Sequence, residues 1–119
     1  MTGSSTWNGA TTLAKTLEEQ GFSGMLYTET GQVPWMQITA AAIAAPSLTF
    51  STGIAVAFPR SPMVSAQVAW ELAGETQGKF RLGLGSQVKG HIVRRYSSEF
   101  SQPAKRLRDY VLAVKACIR

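Results

Sequence analysis

Residue types that carry out chemistry are scarce in this 119-residue chain, and they are scattered. The single histidine, His91, and the single cysteine, Cys117, have no cluster of cysteine, histidine or carboxylate neighbours of the kind a zinc site needs, so no metal is expected. No spacing of serine, histidine and aspartate suggests a nucleophile with its base. His91 lies in a basic run and is expected at the surface. Cys117 is expected to pack as a small buried apolar group. One carboxylate stands out. Glu29 closes the apolar run SGMLYT, and a charge at the end of a buried strand is costly unless the strand opens onto solvent or a ligand, or the charge is paired. Both readings stand, with Arg60 as the candidate partner.

Glycines mark two further places. Gly53 interrupts the strand-like run TFSTGIAV, where it implies a bulge, a close approach to the backbone, or a tight contact with a helix. The segment GLGSQV, Gly83 to Val88, partly resembles a dinucleotide fingerprint, but Val88 stands where the third glycine belongs and no helix opens at once to receive a pyrophosphate. The phosphate-cradling pattern fails as well, since Gly78-Lys79 is followed by Phe80. Trp35 and Trp70 lie on helical segments and are expected in a core or an interface.

These residues must be held by the elements around them. Leu13, Ala14 and Leu17 share one helical face within 10–20, and Gly21 offers a left-handed stop. The run 23–28 is a strand buried on both faces, and Pro34 opens a helix that Pro46 ends. The strongest strand spans 48–57. Ser61-Pro62 is a helix entry, with Gly78 past its end. A strand covers 80–84, a basic loop 86–102, and a last amphipathic helix follows Pro103 with Leu107, Tyr110, Val111, Val114 and Ile118 on one face. The alternation predicts an α/β fold with parallel strands, either a closed eight-fold barrel or an open doubly wound sheet. The chain opens on a helix with no convincing strand before it and stops within one, so it is expected to be part of a larger domain: a single partial domain over 1–119, irregular over 1–9.

Composition narrows the setting. With 45% hydrophobic and 16% charged residues the chain can build a core, and one cysteine excludes an internal disulfide. No segment resembles a signal peptide or approaches the ~20 apolar residues of a membrane span, so the expected location is the cytoplasm, with no membrane partner. Ten of twelve basic residues lie from Lys79 onward, against two of seven acids. That asymmetry fits a solvated basic face, or else an anionic partner. A non-enzymatic nucleic-acid module is the rival reading, but only Tyr96 and Phe100 are interleaved with the basic residues, so nucleic acid is not expected.

GFSGMLYTET, TGIAVAFPRSP, GKFRLGLGSQVKGHIVRRY and the Pro103 helix together resemble the luciferase-like monooxygenase superfamily, and within it the coenzyme F420-dependent oxidoreductases. The resemblance implies a (β/α)8 barrel, which takes about 250 residues when complete. This chain would be a partial, half barrel containing strands two to four. It further implies a bulge with a cis peptide at Gly53-Ile54 beneath the cofactor ring, Glu29 beside that ring, and Gly85, Ser86 and Gln87 lining the same pocket. The implied cofactor is F420, with FMN as the alternative. The implied reaction is hydride transfer at C5 of the deazaflavin to or from a small organic substrate. A half barrel leaves two sheet edges and apolar strand faces uncovered, so a homo-oligomer is expected. Lys89, Arg94 and Arg95 would attract the cofactor's anionic tail. The family's sugar-phosphate dehydrogenases carry a histidine and a glutamate where this chain has Thr30 and Val88, so that acid–base pair is missing. No catalytic residue is assigned, and the isolated chain is expected to be inactive.

Overall fold

The computed structural model describes residues 6–87, 89–97 and 101–118, without the His91 side chain. Helix α1 (Trp7–Glu19) starts three residues earlier than expected, so 7–9 are helical rather than irregular. The reason is Thr6, whose hydroxyl accepts from the Gly9 N–H at 3.0 Å and caps the first turn. Gly21, at φ +87°, then turns the chain into strand β1 (Gly24–Tyr27). Helix α2 (Pro34–Ala44) begins on its proline, and β2 (Thr49–Thr52) follows. The next helix, α3 (Pro62–Glu75), is capped by Ser61, whose Oγ accepts from the Val64 N–H at 3.2 Å.

Two expected strands are each broken in two. The run 48–57 gives β2 and a separate β3 (Ala55–Val56), and the run 80–84 gives β4 (Phe80–Arg81) and β5 (Leu84–Gly85). All pairings are parallel: β1-β2-β4 in one sheet and β3-β5 in the other. The breaks fall at the same level. Ser51 pairs with Arg81, an offset of 30 residues, while Ala55 pairs with Leu84, an offset of 29. The β2–β3 run therefore holds one more residue than the β4–β5 run between these pairs, which is a bulge. At the break the Thr52 hydroxyl donates to the Gly83 carbonyl and accepts from the Gly83 N–H, both at 2.8 Å.

One face of the sheet is covered by helices. Met25, Tyr27, Phe50 and Phe80 pack there with Ala14, Ile38, Ala41, Leu48 and Leu72. On the other face Leu26, Ser51 and Arg81 form one cross-strand row, in which Leu26 and Arg81 are exposed. A second apolar cluster joins Ala57, Phe58 and Ala66 to Tyr110 and Val114 of helix α4 (Pro103–Ile118). The Tyr110 hydroxyl lies 2.6 Å from Ser65 Oγ and donates to the Ser61 carbonyl at 3.1 Å, tying α4 to the start of α3.

Two further expectations are corrected and a third is narrowed. The basic segment is not a loop throughout, because a π-helix occupies His91–Arg95. It is anchored by the fully buried Ile92 and by the Arg95 guanidinium, which donates to the Thr30 carbonyl. Cys117 is exposed: it follows Tyr110 by seven residues and so shares its side of α4, but it sits at the helix end, where the space between α3 and α4 is open. Trp70 is 66% exposed, which removes the core from its two expected places and leaves an interface. Val88 and Phe100, and the side chain of His91, lie outside the described residues. Among the described residues no helix is long and apolar enough to cross a membrane.

Candidate functional site

The C-terminal tips of the strands converge at the level of the breaks. β1 ends at Tyr27, whose carbonyl accepts from the Gly53 N–H at 2.8 Å. Two residues on, the Glu29 N–H donates to the Ile54 carbonyl at 3.3 Å. The bond between Gly53 and Ile54 is cis. A Cβ on Gly53 would lie 2.7 Å from Leu26 Cδ1, and one on Gly85 would lie 2.4 Å from Ile54 Cδ1. The two glycines are therefore filled from outside by apolar side chains, Leu26 over one and Ile54 over the other. Ser86 and Gln87 follow β5 directly and are half-buried, as Ile54 and Gly85 are.

Glu29 is 3% exposed, and its carboxylate is paired rather than open. Arg60 Nη1 donates to Oε1 at 2.7 Å and Nη2 to Oε2 at 2.5 Å. The Val56 N–H donates to Oε1 at 2.8 Å. Arg60 is delivered by a turn in which its own N–H donates to the Ala57 carbonyl at 3.0 Å, and Nη1 also reaches the Val56 carbonyl at 2.8 Å. Its guanidinium lies 5.4 Å from the centre of the Trp35 ring, a cation–π distance. Hydrogen bonding to Glu29 raises the Arg60 pKa above its ordinary value, against the opposing effect of burial.

Of the residues singled out from sequence, Glu29, Gly53, Ile54 and Gly85 are brought together, with Ser86 and Gln87 adjoining. Lys89, just before the π-helix, and Arg94 on it are exposed, while Arg95 is spent on the Thr30 carbonyl and lies 5.2 Å from the centre of the Tyr96 ring. Sequence reasoning missed the Thr52 hydroxyl, the Val56 amide and the anchoring of Arg95. Only Thr52, directly before Gly53, carried a signal, as a hydroxyl beside a glycine that breaks a strand. No group of acids, histidines and cysteines suited to a metal occurs among the described residues. A wide cleft of 790 Å³ lies between α3 and α4, lined by Met63, Trp70, Cys117 and Ile118 among others, and no strand-tip residue borders it.

Comparison with known proteins places this geometry. The family model for luciferase-like monooxygenases matches residues 1–119. Uncharacterised proteins of Mycobacterium bovis and Mycobacterium tuberculosis are 40% identical over 103 residues, which is 87% of this chain and 30% of theirs. Among solved structures, the monooxygenase RslO1 of Streptomyces bottropensis superposes with a TM-score of 0.81 at 20% identity, over 91% of this chain and 35% of that one. The oxygenating constituent of 3,6-diketocamphane monooxygenase of Pseudomonas putida, a type II Baeyer–Villiger monooxygenase in complex with FMN, superposes with a TM-score of 0.78 at 17% identity, over 92% and 35%. The chain thus spans about a third of the length of the relatives it matches, and its fold is part of a (β/α)8 barrel.

Proposed function

The chain belongs to the luciferase-like monooxygenase family, and from that premise we propose that it forms the cofactor-cradling strands of an oxidoreductase that works with a flat tricyclic redox ring. The observation that carries this reading is the convergence of Gly53, Ile54, Gly85 and Ser86 at the C-terminal tips of parallel strands, where barrel enzymes hold their ligands. The residues present fit such a ring. Ile54 lies across the bare Gly85 as a half-buried apolar flank, and Ser86 and Gln87 add polar groups at its border.

The ring we assign is the deazaflavin of F420, by the likeness of GFSGMLYTET and TGIAVAFPRSP to that branch. FMN is the second reading, favoured by the FMN in the Pseudomonas putida structure. When bound, either ring supplies the hydride chemistry, and FMN also supplies reaction with dioxygen. The chain's own work is to orient and shield. Ile54 and Gly85 present one surface to the ring. The Glu29 carboxylate is taken up by Arg60 and the Val56 N–H, so it is not a free acid for the substrate. The exposed Lys89 and Arg94 raise the local concentration of an anionic cofactor tail.

Titrating the full-length protein with F420 and with FMN, in both redox states, tests this by ring fluorescence and absorbance. Saturable binding of F420 and not FMN supports the first assignment, and the reverse supports the second. Failure of both rings to bind refutes the reading. A basic nucleic-acid module would instead bind DNA or RNA with a steep loss on adding salt.

A further inference from the structure

Val56 is the residue whose backbone partners need explaining. The N–H groups of Ala55 and Ala57 point to the β5 side, donating to the carbonyls of Gly83 at 2.8 Å and Gly85 at 3.0 Å. In an extended chain successive residues point to opposite sides, so the Val56 N–H and carbonyl point the other way, towards the line of β1. But β1 has already ended at Tyr27. Two buried polar groups would be left without a ladder, a cost that folded proteins avoid.

Side chains fill the gap. The Val56 N–H donates to Glu29 Oε1, and the Val56 carbonyl accepts from Arg60 Nη1, each at 2.8 Å. A carboxylate stands where a neighbouring strand would offer its carbonyl, and a guanidinium where it would offer its N–H. The two are locked together by their own ion pair, with side chains 2% and 15% exposed. Three of the roughly four lone-pair directions of the Glu29 carboxylate are thereby used within the protein.

We propose that Glu29 and Arg60 act together as a surrogate strand, positioning residues that hold β3 and the bulge before it at a fixed height beneath the ring, and that Glu29 does not itself touch the cofactor. This rests on the ring site proposed above. It predicts that the pair acts as a unit and that its loss is felt first in the backbone of 54–58.

The experiment uses the full-length protein with Glu29→Gln, Arg60→Lys, Arg60→Met and the double variant Glu29→Gln/Arg60→Met. Hydrogen exchange of 54–58 is followed by mass spectrometry without cofactor, and F420 and FMN affinities are measured by ring fluorescence. Arg60→Met is expected to speed exchange of that segment and to weaken ring binding by about tenfold, within the range over which contacting residues couple. Arg60→Lys restores charge but not the fork, so it recovers part of the affinity. The double variant should be no worse than Arg60→Met alone.

A direct contact between Glu29 and the ring gives the opposite pattern. Glu29→Gln would then cost the same factor with or without Arg60, and exchange of 54–58 would stay at the parent rate; either result overturns the proposal. Should the parent protein bind neither ring, the functional reading fails by itself. The surrogate strand is still judged by exchange: faster exchange confined to 54–58 upholds it, and parent-like exchange removes it. Glu29→Gln, nearly identical in shape, keeps the test open if Arg60→Met does not fold.

Discussion

Gly83→Ala is the sharpest test of how the strand tips are held. A Cβ at this position would lie 2.1 Å from the Thr52 carbonyl oxygen and 3.2 Å from its carbonyl carbon. Carbon–oxygen contacts ordinarily begin at about 3.3 Å, so the two backbones must part by roughly 1 Å. The obstacle is main chain and cannot turn aside. Parting also strains two bonds between the Thr52 hydroxyl and Gly83, and the Ala55 N–H bond to the Gly83 carbonyl, all at 2.8 Å. Overpacking costs about 1–3 kcal/mol, and each weakened hydrogen bond adds about 0.5–1.5 kcal/mol. A loss of about 3 kcal/mol is expected. At about 3–5 °C per kcal/mol for a chain of this size, the melting temperature should fall by roughly 10–15 °C. Gly74→Ala, in the same polypeptide, is the control. It lies within α3 with nothing within 4 Å of an added Cβ, and should gain about 0.5–1 kcal/mol. Thermal and urea unfolding followed by circular dichroism read both variants. If Gly83→Ala melts within about 2 °C of the parent, the close approach of Thr52 and Gly83 is wrong.

Other outcomes follow from the same geometry. Gly85→Ala meets the end of the Ile54 side chain at 2.4 Å, which can rotate away, so it should cost under about 1.5 kcal/mol. Its larger effect is expected on ring affinity, measured by fluorescence titration, because Ile54 is displaced. Tyr110→Phe removes the bonds to Ser65 and Ser61 and should lower stability by about 1–2 kcal/mol in urea unfolding. Burial raises the Tyr27 and Tyr110 pKa values, so both phenols should ionise above the usual value of about 10. Their contribution to stability is complete below that value and lost as pH rises through the raised ones, which tyrosinate absorbance and melting at graded alkaline pH check together. The 119-residue chain alone should self-associate in sizing chromatography, given Leu26 exposed on the sheet and Ile43 and Trp70 exposed on helices at 80% and 66%. A sharp monomer peak counts against that expectation.

Local rules carried most of the architecture. Gly21, Pro34 and the Ser61-Pro62 pair announce where helices stop and start because each acts through its own backbone or first hydroxyl. The apolar runs placed the strands in order. What local rules could not show is the level at which two strands break, since TFSTGIAV and FRLGL each look continuous. The break depends on a one-residue change of register against a partner 30 residues away, and only Gly53 hinted at it. The π-helix is similar. HIVRR reads as a solvated basic run because its anchors are one apolar side chain and a bond from Arg95 to a carbonyl 65 residues earlier. Cys117 was misplaced because its compositional habit and its spacing from Tyr110 both point inward, and only the open cleft between α3 and α4 leaves it exposed.

The candidate site owes its shape to this failure of the ladder at the tips. A parallel sheet satisfies its backbone only while strands run side by side, and here they end at different residues. Each uncovered backbone group then needs another partner. Thr52 bonds two below the bulge, Glu29 and Arg60 supply two beside it, and Arg95 closes on Thr30 at the adjoining loop. Four side chains therefore set distances that hydrogen-bonded strands set elsewhere. They come from segments far apart in sequence, so a change in any one shifts the local geometry of the mouth without touching the apolar cluster under the helices. The consequence is testable as a separation: variants of Thr52, Glu29, Arg60 and Arg95 should alter ring binding by a larger factor than their unfolding free energies account for. Core variants such as Phe50→Ala should do the reverse, losing about 3–5 kcal/mol of stability while the fraction that remains folded binds the ring as the parent does.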